Sequence, residues 1–169
     1  MQTRLFVTVV VAFALFSTAA TAGLRIIREH GVRLAVPAAW RQVTSAGDGP
    51  VTDPRTALVV GTAGVHPRIS QCQIAAYSIP PDGAVVVIVA WKTATSGGGH
   101  QKPGRAPLAT LRSVRRPSFE CFDGRGAAAQ VTLGGKAYQI NVMVGDHATH
   151  RVVEQALSVG RSFQPLALS

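Results

Sequence analysis

His147, His150 and Glu154 are the residues whose types and spacing come closest to describing a metal site. Positions i, i+3 and i+7 of a helix share a narrow sector of its surface, and two imidazoles with a carboxylate there could hold zinc or copper. The same residues also read as the polar side of a surface helix. Asp146 and His147 would then belong to its first turn for capping reasons, and histidines at this spacing without a third strong ligand are common.

A second candidate is electrostatic. The chain carries 17 Lys plus Arg against 8 Asp plus Glu, a net charge of +9 at pH 7. No acid lies between Asp82 and Glu120, whereas Lys92, Lys102, Arg105, Arg112, Arg115 and Arg116 all do. Such a segment suits an anionic polymer or a membrane surface outside the cell, and an unidentified protein partner is equally open. Nucleic acid is not an expected partner, because no aromatic residue stands between Trp91 and Phe119 for bases to stack on. The competing reading is a solvated arginine-rich loop in a basic protein. Catalytic signatures are missing: the chain has no Gly-x-Ser-x-Gly elbow and no His-Glu-x-x-His. Gly97-Gly98-Gly99 precedes no predicted helix, and Asp48, Asp53, Asp82 and Asp123 sit beside Gly or Pro as turn residues. No catalytic residue and no cofactor is therefore assigned; a small enzyme with a site assembled from scattered residues is the alternative to a binding domain.

The compartment follows from the N-terminus. Arg4, the apolar run Leu5 to Phe16 and the small-x-small Ala20-Thr21-Ala22 read as a signal peptide over residues 1–22, with a mature domain over 23–169 that is secreted or kept in the periplasm or cell envelope. In such a compartment Cys72 and Cys121 are expected to form one disulfide. Closing a loop of about 50 residues would add around 4 kcal/mol on the chain-entropy model.

The elements that must position these groups are mostly strands. Ala129, Val131 and Leu133 alternate with polar residues; after Gly134-Gly135, so do Tyr138, Ile140, Val142 and Val144, which predicts a hairpin with Val131 opposite Tyr138 and Ala129 opposite Ile140. From Asp146 the period changes to that of a helix, with Ala148, Val152, Val153, Ala156, Leu157 and Val159 on one side and Gly160 as its stop. Two short strands around Glu29-His30-Gly31, a strand over Arg55 to Gly61, another over Gln73 to Ile79 and a fully apolar strand over Ala84 to Trp91 precede them. Being apolar at nearly every position, the last belongs at the sheet centre. The fold class is α+β: an antiparallel sheet of about six strands, with a C-terminal amphipathic helix packed on one face.

Two ends of the mature chain resemble a known architecture. Val32 to Pro37 followed by Ala38-Ala39-Trp40 is similar to the strand, proline and tryptophan that open many PsbP-like α/β sandwich proteins, and the strand, helix and Arg161-Ser162-Phe163 resemble their close. The resemblance implies a shared fold more than a shared activity.

Overall fold

The structure, a computed structural model, describes residues 23–47, 51–95, 102–116 and 121–166. The predicted signal peptide, Asp48 and the Gly97 to Gly99 triplet lie outside them.

The first two strands, β1 (Leu24–Glu29) and β2 (Val32–Pro37), form an antiparallel hairpin with Glu29 opposite Val32. Its turn residues His30 and Gly31 have φ of 43° and 77°, the left-handed pair of a primed turn that matches strand twist. Val32, Leu34 and Val36 point inward and are buried. Pro37 ends the ladder because it has no N–H to donate. The chain then turns through a Trp40 N–H to Pro37 carbonyl bond of 2.9 Å, with the Trp40 ring buried at the corner.

That corner delivers β3 (Arg41–Gln42) into a second and larger sheet, joined by β4 (Arg55–Gly61), β7 (Ala84–Ala90), β8 (Lys102–Pro103), β9 (Arg125–Leu133) and β10 (Lys136–Val144), in the spatial order β3-β4-β7-β10-β9-β8. All its pairs are antiparallel except β8 with β9. Between β4 and β7, β5 (His66–Pro67) and β6 (Tyr77–Ser78) pair with each other alone. The helix α1 (His150–Arg161) leads to β11 (Gln164–Pro165), which pairs with β2. The fold is thus α+β, mostly antiparallel, with one C-terminal helix. A single sheet of about six strands is too simple: the corner at Pro37 and Trp40 places β1 and β2 with β11 in a three-stranded sheet of their own.

Strand β7 lies inside the large sheet, as its apolar run predicts, and Ala84 to Val89 are at most 2% exposed. Val86 and Ile88 join a core with Leu58, Val60, Ile140 and Val142, covered by Leu34 and Val36 from β2, by Ala156 and Leu157 from α1, and by Phe163. Val85, Val87 and Val89 serve the other face with Val59 and Met143, under Val43, Val65, Ala76 and Tyr77. Only Tyr77–Ser78 of the expected Gln73 to Ile79 strand is extended and paired. The rest of that segment turns to lay Ile74 and Ile79 on the second face.

The β9–β10 hairpin has the predicted register, Val131 opposite Tyr138 and Ala129 opposite Ile140, through a turn in which Gly134 and Gly135 have φ of 58° and 73°. The helix begins later than its periodicity suggests. Gly145 to Ala148 form a turn held by the Gly145 N–H to Gly83 carbonyl (2.9 Å) and the His147 N–H to Pro81 carbonyl (2.7 Å), and Thr149, not Asp146, caps the helix by accepting from the Val152 N–H. Gly160 is inside the helix rather than beyond it. The expected Cys72–Cys121 disulfide is also corrected: the two residues are not at disulfide distance. They sit on separate loops, and the neighbouring Ile74 and Phe122 are the side chains that reach the second core.

Gly160 has a packing role. A Cβ there would meet Val142 Cγ2 at 2.9 Å and Leu111 Cδ1 at 3.0 Å, so the missing side chain lets the last turn of α1 approach β10 and the 3-10 turn Ala106–Thr110. Gly160→Leu is expected to lower unfolding stability by about 1 to 3 kcal/mol in urea titration, the cost of overpacking a filled core. A glycine serving only as an exposed helix stop would tolerate the change with a smaller loss.

Candidate ligand-binding cavity

Of the predicted metal set, His147 lies in the turn before α1, and only His150 and Glu154 share the helix, with His150 Nε2 4.0 Å from Glu154 Oε1. Among the described residues no group of three His, Cys, Asp or Glu side chains is placed to hold a metal ion, so the proposed His147, His150 and Glu154 site is not formed. The later start of the helix is the reason, because it removes His147 from the helical face.

The basic segment is spread along the molecule rather than gathered. Lys102 is in β8 beside Val131, and Arg105 Nη2 donates to the Arg161 carbonyl at the C-terminal end of α1 (3.4 Å). Arg112 Nε donates to the Ala109 carbonyl (2.8 Å), and the Arg115 backbone bridges to Gly126 at the start of β9. Arg116 forms an ion pair with Asp146, where Arg125 Nη1 also donates to the Asp146 carbonyl. Lys92 stands beyond the C-terminal end of β7, whereas Val144, next to this Asp146 cluster, pairs with Ala84 at the other end of the strand. Seven residues of strand separate the two ends by about 20 Å.

Lys92 instead lines a cavity of about 620 Å³. This cavity opens where the β1–β2 turn, the first residues of β4, the end of β7 and the β9–β10 turn meet. Ala57, Ala90, Leu133, Tyr138, Pro165 and Leu166 supply apolar lining, and the polar groups include His30, Asp53, Arg55, Lys92 and Lys136. The size falls within the range of small-molecule sites, and the mixture of apolar wall and few polar groups is their usual character.

Sheet register explains how these groups converge. Arg55 pairs with Ala90, and Ala90 with Tyr138, so the three form one row across β4, β7 and β10 on the face that also carries Ile88 and Ile140. The pairing continues through the Trp91 N–H to Ala137 carbonyl bond of 2.9 Å, after which the chain bends at Lys92, and Lys92 and Lys136 both line the cavity. Asp53 Oδ1 accepts from the Lys92 backbone N–H at 3.0 Å, and Arg55 Nε donates to the Thr52 carbonyl at 3.1 Å. His30 Nδ1 lies 3.2 Å from the Ala57 carbonyl, which can only accept, so this nitrogen carries the proton. His30 and Asp53 are each engaged with backbone rather than with each other, and this geometry orients no nucleophile and base pair.

None of Asp53, Arg55, Lys136 and Tyr138 stood out in the sequence as a site residue. Tyr138 and Lys136 share a face through the hairpin alternation, which is legible. The pairing of β10 with β7, which adds Lys92, is not.

Tyr138 lies against Phe163, with ring centroids 5.0 Å apart and planes tilted by 54°. Burial raises its phenol above the ordinary value of 10.0. The protonated phenol is the neutral form, so the stabilisation is complete below the unfolded value and is lost as pH rises through the folded one. In an absorbance titration of tyrosinate, Tyr138 is expected to ionise above the ordinary tyrosine range, and Tyr138→Phe should remove that late component. A Tyr138 signal at the ordinary value would contradict its burial.

A scan against protein-family models finds none that matches the chain, and a search among curated proteins finds no match either.

Proposed function

We propose that this chain is an exported, non-catalytic binding domain that takes a small, largely apolar molecule into the cavity at the end of its sheets. The observation that supports it best is the cavity itself, about 620 Å³ with an apolar wall and a few basic side chains. Export is supported by the basic, apolar and small-residue succession of residues 1–22, which would leave Gly23 as the first residue before β1. The PsbP-like reading is supported by the Val32 to Trp40 corner and by the strand, amphipathic helix and Phe163 that close the fold.

The test uses a neutral fluorescent aromatic amine, N-phenyl-1-naphthylamine, with emission followed on titration. The wild type should bind saturably. Ala90→Phe, which fills the cavity from β7, should weaken binding at least about tenfold, equivalent to 1.4 kcal/mol. Leu133→Trp serves the same purpose if the first variant does not fold. Absence of saturable binding, or unchanged affinity in a folded filled variant, would reject the reading.

A second reading keeps the anionic polymer or membrane surface as partner. It is favoured by the exposure of Arg105, Arg112 and Arg115 along the segment beside α1. Binding to polyglutamate should then fall steeply with salt, and Arg112→Gln with Arg115→Gln should weaken it more than Arg28→Gln with Arg151→Gln. Equal losses would reduce the effect to the general field of a basic protein.

A further inference from the structure

Building on the cavity reading, we infer that the ligand is an amphiphile with a doubly charged anionic head, of the phosphate monoester class, seated on Arg55, Lys92 and Lys136. These three cations line one cavity: Arg55 is paired with Ala90 at the end of β7, Lys92 follows Ala90 by two residues, and Lys136 begins β10. Like charges gathered around one cavity repel, and an anion between them relieves the repulsion.

Among the described residues, none of the three makes an ion pair. Asp53 is the one carboxylate among the described lining residues, and its Oδ1 accepts from the Lys92 backbone rather than from an ammonium or guanidinium. Three cations against one carboxylate leave an excess of two positive charges, and a phosphate monoester carries close to two negative charges at pH 7.

The apolar lining decides against a bare anion. Ala90 and Tyr138, paired with each other, are two residues from Lys92 and Lys136 along the chain, and Leu133 is paired with Lys136. A head held by the cations therefore directs its tail along these side chains toward Pro165 and Leu166. Each methylene buried there should raise affinity about fourfold.

The experiment is calorimetric titration of the full mature chain with octyl phosphate, octyl glucoside and inorganic phosphate, the amphiphiles kept below their micelle concentrations. Octyl phosphate is expected to bind at least tenfold more tightly than either of the others. Lys92→Gln with Lys136→Gln should remove that advantage by lowering octyl phosphate affinity far more than octyl glucoside affinity, whereas Arg41→Gln with Arg151→Gln, an equal change in charge remote from the cavity, should leave it intact. Equal affinity for the two amphiphiles would overturn the head-group assignment and leave the apolar cavity standing. Equal affinity for octyl phosphate and inorganic phosphate would reduce the site to a simple anion patch. Equal losses in the two double variants would assign the preference to the overall field, and absence of binding by both amphiphiles would reject the cavity reading along with this one.

Discussion

The burial of β7 on both faces is the constraint around which the molecule is built. A strand with Val85, Val87 and Val89 on one side and Val86 and Ile88 on the other requires apolar cover twice, because exposing either set forfeits the transfer free energy of several β-branched side chains. The two covers are made differently. One face takes the small sheet, α1 and Phe163; the other takes irregular chain, with β5 and β6 as its short paired portion. Regular structure is not required of a cover, only apolar side chains at the right spacing and backbone groups that find partners.

The cavity follows from how the first cover ends. The small sheet is closed by a tight turn at His30 and Gly31, and the chain leaving β11 is tied to that turn by the Leu166 N–H to Gly31 carbonyl bond of 2.7 Å. Beyond this tie Arg55 at the start of β4, Lys92 just after β7 and Lys136 at the start of β10 stand in place of the apolar residues found farther inside. Apolar side chains thus give way to cations within two residues of Ala90 and of Tyr138. That succession gives the cavity an apolar interior and a basic mouth without any loop dedicated to it.

At the other end of the sheet the charges are used differently. Arg116 is paired with Asp146, and Arg125 donates to the Gly145 and Asp146 carbonyls, which fastens the turn leading into α1. Arg161 donates to the Leu111 carbonyl, and Ser162 Oγ accepts from the Ala35 N–H at 2.9 Å, so the far end of the helix is joined both to the 3-10 turn and to β2. Arginine suits these tasks because its planar group offers several donors to neighbouring carbonyls. Part of the basic character of the chain therefore serves architecture, and its concentration in one segment of sequence does not correspond to one patch in space.

The local code was legible wherever a period and its punctuation stood together. Gly134-Gly135 between two alternating runs determined a hairpin and its register, Glu29 to Val32 determined another, and the unbroken apolar run from Ala84 determined a strand covered on both sides. Boundaries that depend on packing were not legible. Asp146 is an acceptable cap by residue type, yet tertiary bonds from Gly145 and His147 to Gly83 and Pro81 hold that stretch as a turn and pass the cap to Thr149. Gly160 looks like a helix stop until Val142 and Leu111 are seen beside it. The cavity required more still, because Arg55, Lys92 and Lys136 are far apart along the chain and meet only through the pairing of β4 with β7 and β7 with β10. Alternation specifies which side chains share a face of one strand, whereas which strands become neighbours is decided by the joint burial of both faces, a property of the whole chain.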